Sequence, residues 1–160
     1  MGKKRPSWDE YFIGLCEAVR ERATCDRGRN GVVIVRDKQV LVTGYVGSPP
    51  GAPHCDEVGH QLKAVTHEDG RTTWHCRRTT HAEMNAIFQA AKRGIALKGS
   101  TLYTLMEPCY DCAKGIVTVG IERVVCKARY HDSKDSEELL RRSGIRVDYL
   151  SNEVVRYEKQ

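Results

Sequence analysis

Two short segments carry residues of the kinds that bind metal ions and move protons. The first is His81-Ala82-Glu83 and the second runs from Pro108 to Cys112, so the chain reads H-x-E followed by P-C-x-x-C. Zinc favours imidazole and thiolate ligands, and a catalytic zinc site keeps three protein ligands so that water can take the fourth position. The pattern therefore predicts a zinc site with His81, Cys109 and Cys112 as its ligands.

Glu83 follows the predicted imidazole ligand by two residues. At this spacing the carboxylate is not expected to bind the metal, but it can reach water at the open position. Because zinc lowers the pKa of its water to about 7, a neighbouring carboxylate can accept the proton and pass it to a substrate nitrogen. Glu83 is therefore the predicted catalytic acid and base, and the combined signature is typical of zinc deaminases.

A structural zinc knuckle or a redox pair is the alternative interpretation of Cys109 and Cys112, because isolated C-x-x-C pairs often have these roles. Here Pro108 precedes the first cysteine, and an apolar run with helical spacing follows each half of the pattern. A strand pattern also precedes the second half. This context favours a catalytic site.

Several stretches of the chain resemble the cytidine and deoxycytidylate deaminases, most closely the deoxycytidylate (dCMP) deaminases. The resemblance runs from about Pro6 to Tyr130 and is carried by Pro6–Phe12, Thr43–Tyr45, Gly47–Gly51, Arg78–Ile87 and Thr101–Lys114. It implies a cytidine deaminase-like fold and a zinc-dependent enzyme. The implied reaction is the hydrolytic deamination of dCMP to dUMP, with release of ammonia, which would supply dUMP for thymidylate synthesis.

The resemblance also implies substrate contacts. Backbone groups near Ala82 would read the amide-like edge of the base, and Tyr45 would border the sugar and phosphate, with Asn85 and Pro108 as further candidates. A phosphate needs cationic or N–H donors. The basic residues considered for this role, with plain surface charge as the alternative for each, are Arg27, Arg29 and Lys92.

A second, structural zinc is expected from the remaining cysteines. The chain has seven cysteines, which in a reducing compartment argue for metal ligation and against a disulfide framework. From position 44 to 80 there is little regular pattern, as expected of a stretch held by a metal. Some dCMP deaminases carry a structural zinc in this region, and Cys25 and Cys55 match by position the cysteines that hold it. The ligand set expected here is Cys25, Cys55, His75 and Cys76, with His67 as the second choice of histidine and metal-free cysteines as the alternative.

Some members of the resembled family are hexamers activated by dCTP and inhibited by dTTP. A homo-oligomer with these effectors is therefore implied, and Gly47–Gly51 matches the regulatory loop of those enzymes. Two departures border the expected pocket. Val46 stands where the dCMP deaminases usually have Asn, and Asn30-Gly31-Val32 stands where they have Val-Gly-Ala.

The elements that must position these residues follow from periodicity and capping. Ser7 and Glu10 predict a capping box for a first helix that ends near residues 23–25. Two β-branched runs, 32–35 and 40–43, predict a hairpin whose strands are covered on both faces. Further strands are predicted at 101–105, 123–126 and 145–149, and further helices at 81–93, 109–119 and 136–143. The expected fold is a three-layer α/β/α domain over residues 1–160, with a five-stranded mixed sheet and both metal-bearing helices beginning at one sheet edge.

Composition describes an ordinary globular protein of 160 residues, with 40% hydrophobic residues and a formal net charge of +5. Because the basic residues are spread along the chain, nucleic acid is not the expected partner. No apolar stretch approaches the ~20 residues of a membrane span, so a cytoplasmic protein is expected.

Three other functions remain open from the sequence. A tRNA adenosine deaminase shares the zinc motif but calls for a more basic surface. The deaminase half of a riboflavin-synthesis enzyme is another alternative, although the reductase half that commonly accompanies it is not in this chain. A non-enzymatic zinc-binding module, in which Glu83 would be dispensable, is the alternative from a different class.

Overall fold

A six-stranded mixed sheet organises the computed structural model, which describes residue 2 and residues 4–156. The elements, in chain order, are α1 (Trp8–Arg20), β1 (Gly31–Arg36), β2 (Gln39–Tyr45), α2 (Cys55–Val58), β3 (Leu62–Thr66), β4 (Thr72–Cys76), α3 (Ala82–Arg93), β5 (Thr101–Met106), α4 (Tyr110–Thr118), β6 (Arg123–Tyr130), α5 (Lys134–Arg142), β7 (Arg146–Tyr149) and β8 (Val154–Val155). The predicted single domain over 1–160 also included residues 1, 3 and 157–160, which lie outside the described residues.

The sheet order is β2-β1-β5-β6-β7, with β8 beside the end of β6. Strand β1 is antiparallel to β2 and β5, whereas β5, β6 and β7 are parallel. The predicted mixed sheet in a three-layer α/β/α fold is confirmed, with one difference. The two-residue strand β8 pairs with Arg129 and Tyr130 and makes a sixth strand, which the short tail pattern did not indicate.

Successive side chains of β1 point to opposite faces of the sheet and belong to two apolar clusters. Helices cover both faces and bury these clusters. Val33 and Val35 face α1, where Phe12 packs against Tyr103. Val32 and Ile34 face the layer that contains α3, α4 and α5. The prediction that both hairpin strands are covered on both faces holds for β1 but is wrong for β2, which lies at the sheet edge and exposes Gln39, Val40 and Thr43.

Helix α1 begins at the predicted capping box, in which the Ser7 N–H donates to Glu10 Oε2 (2.7 Å) and the Glu10 N–H donates to Ser7 Oγ (3.2 Å). The helix ends at Arg20, before the predicted end near residues 23–25.

Among the described residues, no helix combines the length and the apolar character that a bilayer crossing requires.

The stretch from 44 to 80 was expected to be irregular, but it contains the short helix α2 and the hairpin β3–β4. This hairpin is hard to predict because few of its side chains are buried, so the alternation that marks a half-buried strand is weak. The loop between its strands turns at Gly70, whose φ of 81° suits glycine.

Candidate functional site

The two halves of the zinc pattern meet where helices α3 and α4 begin. His81 is the N-cap of α3 and Cys109 is the N-cap of α4, so each lies one position before the helix in which the sequence analysis placed it. His81 Nδ1 is 3.4 Å from Cys109 Sγ and 3.5 Å from Cys112 Sγ. Strand β5 leads directly into the Pro108-Cys109 corner, and this connection brings the thiols to the imidazole.

The donor set fits zinc. A tetrahedral zinc ion, with bonds of ~2.3 Å to sulfur and ~2.0 Å to nitrogen, separates these two ligand types by roughly 3.5 Å. The observed nitrogen–sulfur distances of 3.4 and 3.5 Å match this value. The hydrogen bond with the Cys112 thiol lowers the pKa of Cys109 to about 4, and the hydrogen bond with Cys109 raises the pKa of His81 to about 9. The lowered pKa of Cys109 favours the thiolate form that zinc binds, and these three donors lie together without a fourth among the described residues.

Glu83 lies directly beside the three donors and is 4% exposed. Its Oε2 is 3.6 Å from Cys112 Sγ, while its Oε1 accepts a hydrogen bond from Asn30 Nδ2 (3.1 Å) and lies 3.5 Å from Thr104 Oγ1. Burial raises the pKa of the Glu83 carboxyl. A buried carboxylate with one oxygen turned towards a metal position is suited to receive and return a proton.

A pocket opens over these residues and is bounded mainly by the loop after α1, strand β4 and the end of β6. The guanidinium of Arg27 donates to the Trp74 carbonyl across 2.7 Å and joins the first two of these walls. The lining residues beyond the ligands and Glu83 include Arg27, Asn30, Val46, Trp74, His75, Met106, Glu107 and Tyr130.

The four predicted substrate contacts lie outside the described lining of this pocket. Asn85 Nδ2 donates to the carbonyls of Tyr45 (2.8 Å), Gly47 (3.4 Å) and Thr80 (3.3 Å) and so fixes the turn that leads into α3. Ala82 and Pro108 are buried. Asn85 thus supports a wall of the pocket, and the substrate contacts of Tyr45, Ala82, Asn85 and Pro108 stay predictions.

Of the three basic residues considered for a phosphate, Arg27 alone is part of the described pocket wall. Arg29 lies along a separate depression with Asp26 and His60. Lys92 is in the last turn of α3, whose opposite end carries the site.

A second group of metal-binding side chains forms around the hairpin β3–β4. It contains Cys25, Cys55, His60 and Cys76, whose ligand atoms lie within 4.8 Å of one another. Cys55 Sγ is 3.6 Å from Cys76 Sγ, and Cys25 Sγ is 3.7 Å from His60 Nδ1. Two sulfur ligands of a tetrahedral zinc ion are separated by roughly 3.8 Å, so this donor set also fits zinc.

His60 takes the place in this group that the sequence analysis assigned to His75. Adjacent strand residues point to opposite faces, so His75 turns away from Cys76. Its Nε2 is instead 2.8 Å from Thr73 Oγ1, which is also 2.8 Å from His67 Nε2. Neither His75 nor His67 is therefore part of the four-residue group, and His75 lines the other pocket.

Asp26 supports the second group from outside, because its Oδ1 is 2.9 Å from His60 Nε2. A carboxylate on the far nitrogen is the usual way to orient a metal-binding imidazole. Burial opposes ionisation of Cys76, but backbone N–H groups of Arg78 and Gln61 lower its pKa to about 6, so one thiolate is available here too.

Sequence reasoning placed Asn30 at the border of the pocket without a role and missed two further buried polar residues, Thr104 and Glu107. Asn30 and Thr104 are buried beside Glu83. Glu107, also buried, accepts hydrogen bonds from the Tyr130 N–H (2.7 Å), the Ser133 hydroxyl (2.6 Å) and the Tyr149 hydroxyl, and so ties the end of β5 to the loop after β6. The available signal was a polar residue within or next to an apolar strand pattern, since buried polar groups need partners.

Comparisons with known proteins agree with this geometry. The family model for the cytidine and deoxycytidylate deaminase zinc-binding region matches residues 6–128. ComE operon protein 2 of Bacillus subtilis (strain 168) is 37% identical over 147 residues, which cover 92% of this chain and 73% of that protein. Deoxycytidylate deaminase of Mycobacterium phage D29 is 40% identical over 126 residues, which cover 76% of this chain and 94% of the phage protein.

A solved structure gives the same result at the level of the fold. The crystal structure of dCMP deaminase from the cyanophage S-TIM5, in complex with dCMP and dUMP, superposes with a TM-score of 0.74 at 26% identity. The superposition covers 92% of this chain and all of the phage chain (100%). With a family model that spans most of its length and these relatives, the chain belongs to the cytidine and deoxycytidylate deaminase family.

Proposed function

We propose that this chain is a hydrolase that converts dCMP to dUMP with release of ammonia and so supplies dUMP for thymidylate synthesis. The observation that carries the proposal is the group of three metal-binding donors beside the buried carboxylate of Glu83. The choice of substrate is supported by the phage relative named deoxycytidylate deaminase, at 40% identity, and by the S-TIM5 structure with dCMP and dUMP.

The proposed mechanism assigns each step to residues of this chain. His81, Cys109 and Cys112 would hold a zinc ion, which would act as a Lewis acid and lower the pKa of a bound water to about 7. Glu83 accepts a proton from the attacking water through Oε2, the oxygen nearest the ligands. The water oxygen adds to C4 of the cytosine while Glu83 delivers the proton to N3. Glu83 then accepts the proton of the new C4 hydroxyl and transfers it to the amino group, so that the C4 carbonyl forms, the C4–N4 bond breaks and ammonia leaves.

Arg27 is the proposed contact for the substrate phosphate. Among the described residues that line the pocket, Arg27 is the arginine. Its guanidinium presents a planar array of N–H donors, which suits phosphate oxygens. The half-exposed ring of Trp74 lies in the same wall, which also gives the nucleotide an apolar surface.

A panel of substrates tests the proposed function. The purified chain is incubated with dCMP, deoxycytidine, a tRNA and a pyrimidine precursor of riboflavin, and ammonia release is followed. We expect dCMP to be deaminated with the highest kcat/KM. Release from the tRNA or the riboflavin precursor alone would contradict the choice of substrate, and no release from any of them would favour a non-enzymatic zinc module.

We also propose a second, structural zinc held by Cys25, Cys55, His60 and Cys76. Four protein donors leave no open position, which is the arrangement of structural zinc sites. The four residues come from the loop after α1, from α2 and its following turn, and from β4. Such an ion would therefore fasten the exposed hairpin β3–β4 to the rest of the fold.

Metal analysis of matched histidine variants tests the second zinc. We expect two zinc ions per unmodified chain, about one per His60→Ala chain because the second site is weakened, and a lower melting temperature for that variant. His75→Ala is the control, and it should retain both ions. A single zinc ion in the unmodified chain, or loss of zinc from His75→Ala instead, would refute the proposed ligand set.

A cytoplasmic homo-oligomer, hexameric and regulated by dCTP and dTTP, completes the proposal. An interface between copies of the chain is supported by exposed aromatic rings on two helices, Phe88 on α3 (53% exposed) and Tyr110 on α4 (50% exposed). Light scattering with and without each nucleotide tests the assembly, and a monomer under all conditions would exclude it.

A further inference from the structure

Asn30 is a buried residue beside the catalytic carboxylate and has no part in the chemistry assigned so far. It precedes β1, is 5% exposed, and places its side-chain amide between Glu83 and strand β5. Its Nδ2 is 3.1 Å from Glu83 Oε1 and 2.9 Å from Thr104 Oγ1, and its Oδ1 is 3.2 Å from the Leu105 nitrogen.

The orientation of this amide is fixed by its partners. A backbone N–H can only donate, so the atom that faces Leu105 must be the amide oxygen. The amide nitrogen then faces Glu83 and Thr104, and its two hydrogens serve one acceptor each. With both hydrogens and the oxygen engaged, the amide does not have a hydrogen left for a substrate, although it lies in the pocket wall.

Thr104 reinforces this arrangement. Its hydroxyl has a single hydrogen, and the Met106 carbonyl lies closer to Oγ1 (2.9 Å) than Glu83 Oε1 does (3.5 Å). The hydroxyl hydrogen therefore goes to Met106, and a lone pair faces Asn30. Asn30 is thus the main side-chain donor to Glu83 Oε1 among the described residues.

We infer that Asn30 is a positioning residue, which holds Glu83 Oε1 so that Oε2 stays turned towards the attacking water. This inference rests on the proposed function and extends it to a residue outside the zinc motif. Misplacement of a catalytic group by 1 Å costs about 100-fold in rate. Loss of the Asn30 amide should therefore lower kcat by about this factor, while KM for dCMP changes little.

The test compares Asn30→Leu, which keeps the approximate size but has no polar atoms, with Ser100→Ala. Ser100 is another buried polar residue, whose hydroxyl donates to the Leu97 carbonyl away from the site. We measure kcat and KM for dCMP, dUMP affinity by calorimetry, zinc content and melting temperature. Both variants should lose some thermal stability, but only Asn30→Leu should lose kcat, with zinc content and dUMP affinity unchanged.

A kcat for Asn30→Leu within about fivefold of the unmodified chain would overturn the inference, as would a fall in zinc content or dUMP affinity that accounts for the loss. If Asn30→Leu does not fold, Asn30→Asp replaces it, because the carboxylate still accepts from the Leu105 N–H but no longer offers the amide donor. Its near-normal kcat would equally overturn the inference. An unmodified chain that releases no ammonia from dCMP would instead contradict the proposed function, and the inference with it.

Discussion

Arg27 offers the clearest test of substrate recognition at the scale of a single residue. It lies in the described pocket wall, so a substrate phosphate near the entrance would meet its guanidinium. A hydrogen bond to a charged group contributes about 1.5–3 kcal/mol, equivalent to about 10–100-fold in affinity. We therefore expect Arg27→Ala to raise KM for dCMP at least tenfold and to leave KM for deoxycytidine, which has no phosphate, nearly unchanged.

The control for this prediction is Arg29→Ala, because Arg29 lies along a different depression of the surface. Steady-state kinetics with both substrates give the comparison. An equal rise in KM for dCMP and deoxycytidine after Arg27→Ala would contradict phosphate recognition, and would indicate that the residue acts through its bond to the Trp74 carbonyl.

Chemistry made the ligand residues easier to predict than their neighbours. Few residue types bind zinc, so the spacing of His81, Cys109 and Cys112 was sufficient to predict their meeting, and the structure brings them together. The choice of His75 for the second group was wrong. His75 and Cys76 are neighbours on β4 and point to opposite faces of the strand, and the sequence did not show which face the ring occupies. Asn30 was expected at the pocket border, but its contact with Glu83 was not predicted, since an Asn before a strand is also ordinary loop chemistry.

Close packing of helix on strand is the critical feature at the scale of elements. A Cβ atom added to Gly44 on β2 would lie 2.3 Å from the Ala82 carbonyl oxygen and 2.5 Å from the Ala86 nitrogen on α3. Both contacts are with backbone, so the helix itself would have to move. Overpacking of this kind costs about 1–3 kcal/mol.

Gly44→Ala should therefore destabilise the chain by about 1–3 kcal/mol in urea unfolding and disturb His81, which caps the same end of α3. Gly14→Ala is the control. Gly14 lies inside α1 with nothing within 4 Å of an added Cβ, so alanine should stabilise by about 0.5–1 kcal/mol. Equal effects of the two substitutions would argue against the close approach of α3 to β2.

The elements with buried side chains were predicted better than the exposed hairpin. Buried runs in β1, β5 and β6 and the small-residue stripe of α3 leave a strong pattern, and these elements were predicted within a few residues of their observed bounds. The hairpin β3–β4 was missed because its sequence carries little burial pattern. If it depends on metal donors from other segments, no local propensity would reveal it.

At the scale of the whole molecule, Arg123 joins the first helix to the far side of the sheet. Its guanidinium binds both oxygens of Asp9 (2.9 and 2.8 Å) and also donates to Asp148 Oδ2 (2.7 Å). The hydrogen bond from Arg123 lowers the pKa of Asp9 in the folded chain. The network therefore links α1, β6 and β7, which are remote in sequence.

This pKa shift predicts a pH dependence of stability. The pKa of Asp9 in the folded chain lies below its unfolded value of ~3.9. The ionised Asp9 therefore stabilises the folded chain fully above about pH 4, and this stabilisation is lost as pH falls through the folded-state pKa. Asp9→Asn should lower the free energy of unfolding by about 1–2 kcal/mol at pH 7, and the deficit should shrink below pH 4.

Urea unfolding of the unmodified chain and of Asp9→Asn from pH 7 towards pH 3 measures this difference. Glu138→Gln is the control, because Glu138 pairs with Arg142 in an exposed position of α5 and should matter little at any pH. A deficit for Asp9→Asn that stays constant from pH 7 to pH 3 would refute the linkage.

The central claim is tested most directly by Glu83→Gln, with dCMP turnover and zinc content measured on the same preparation. Glutamine keeps the size of the side chain but cannot carry a proton between water and the base, a transfer that typically contributes about 10²–10⁴-fold. The account predicts unchanged zinc content and a loss of turnover of at least about 100-fold. A zinc-loaded Glu83→Gln chain that deaminates dCMP within tenfold of the unmodified rate would contradict it.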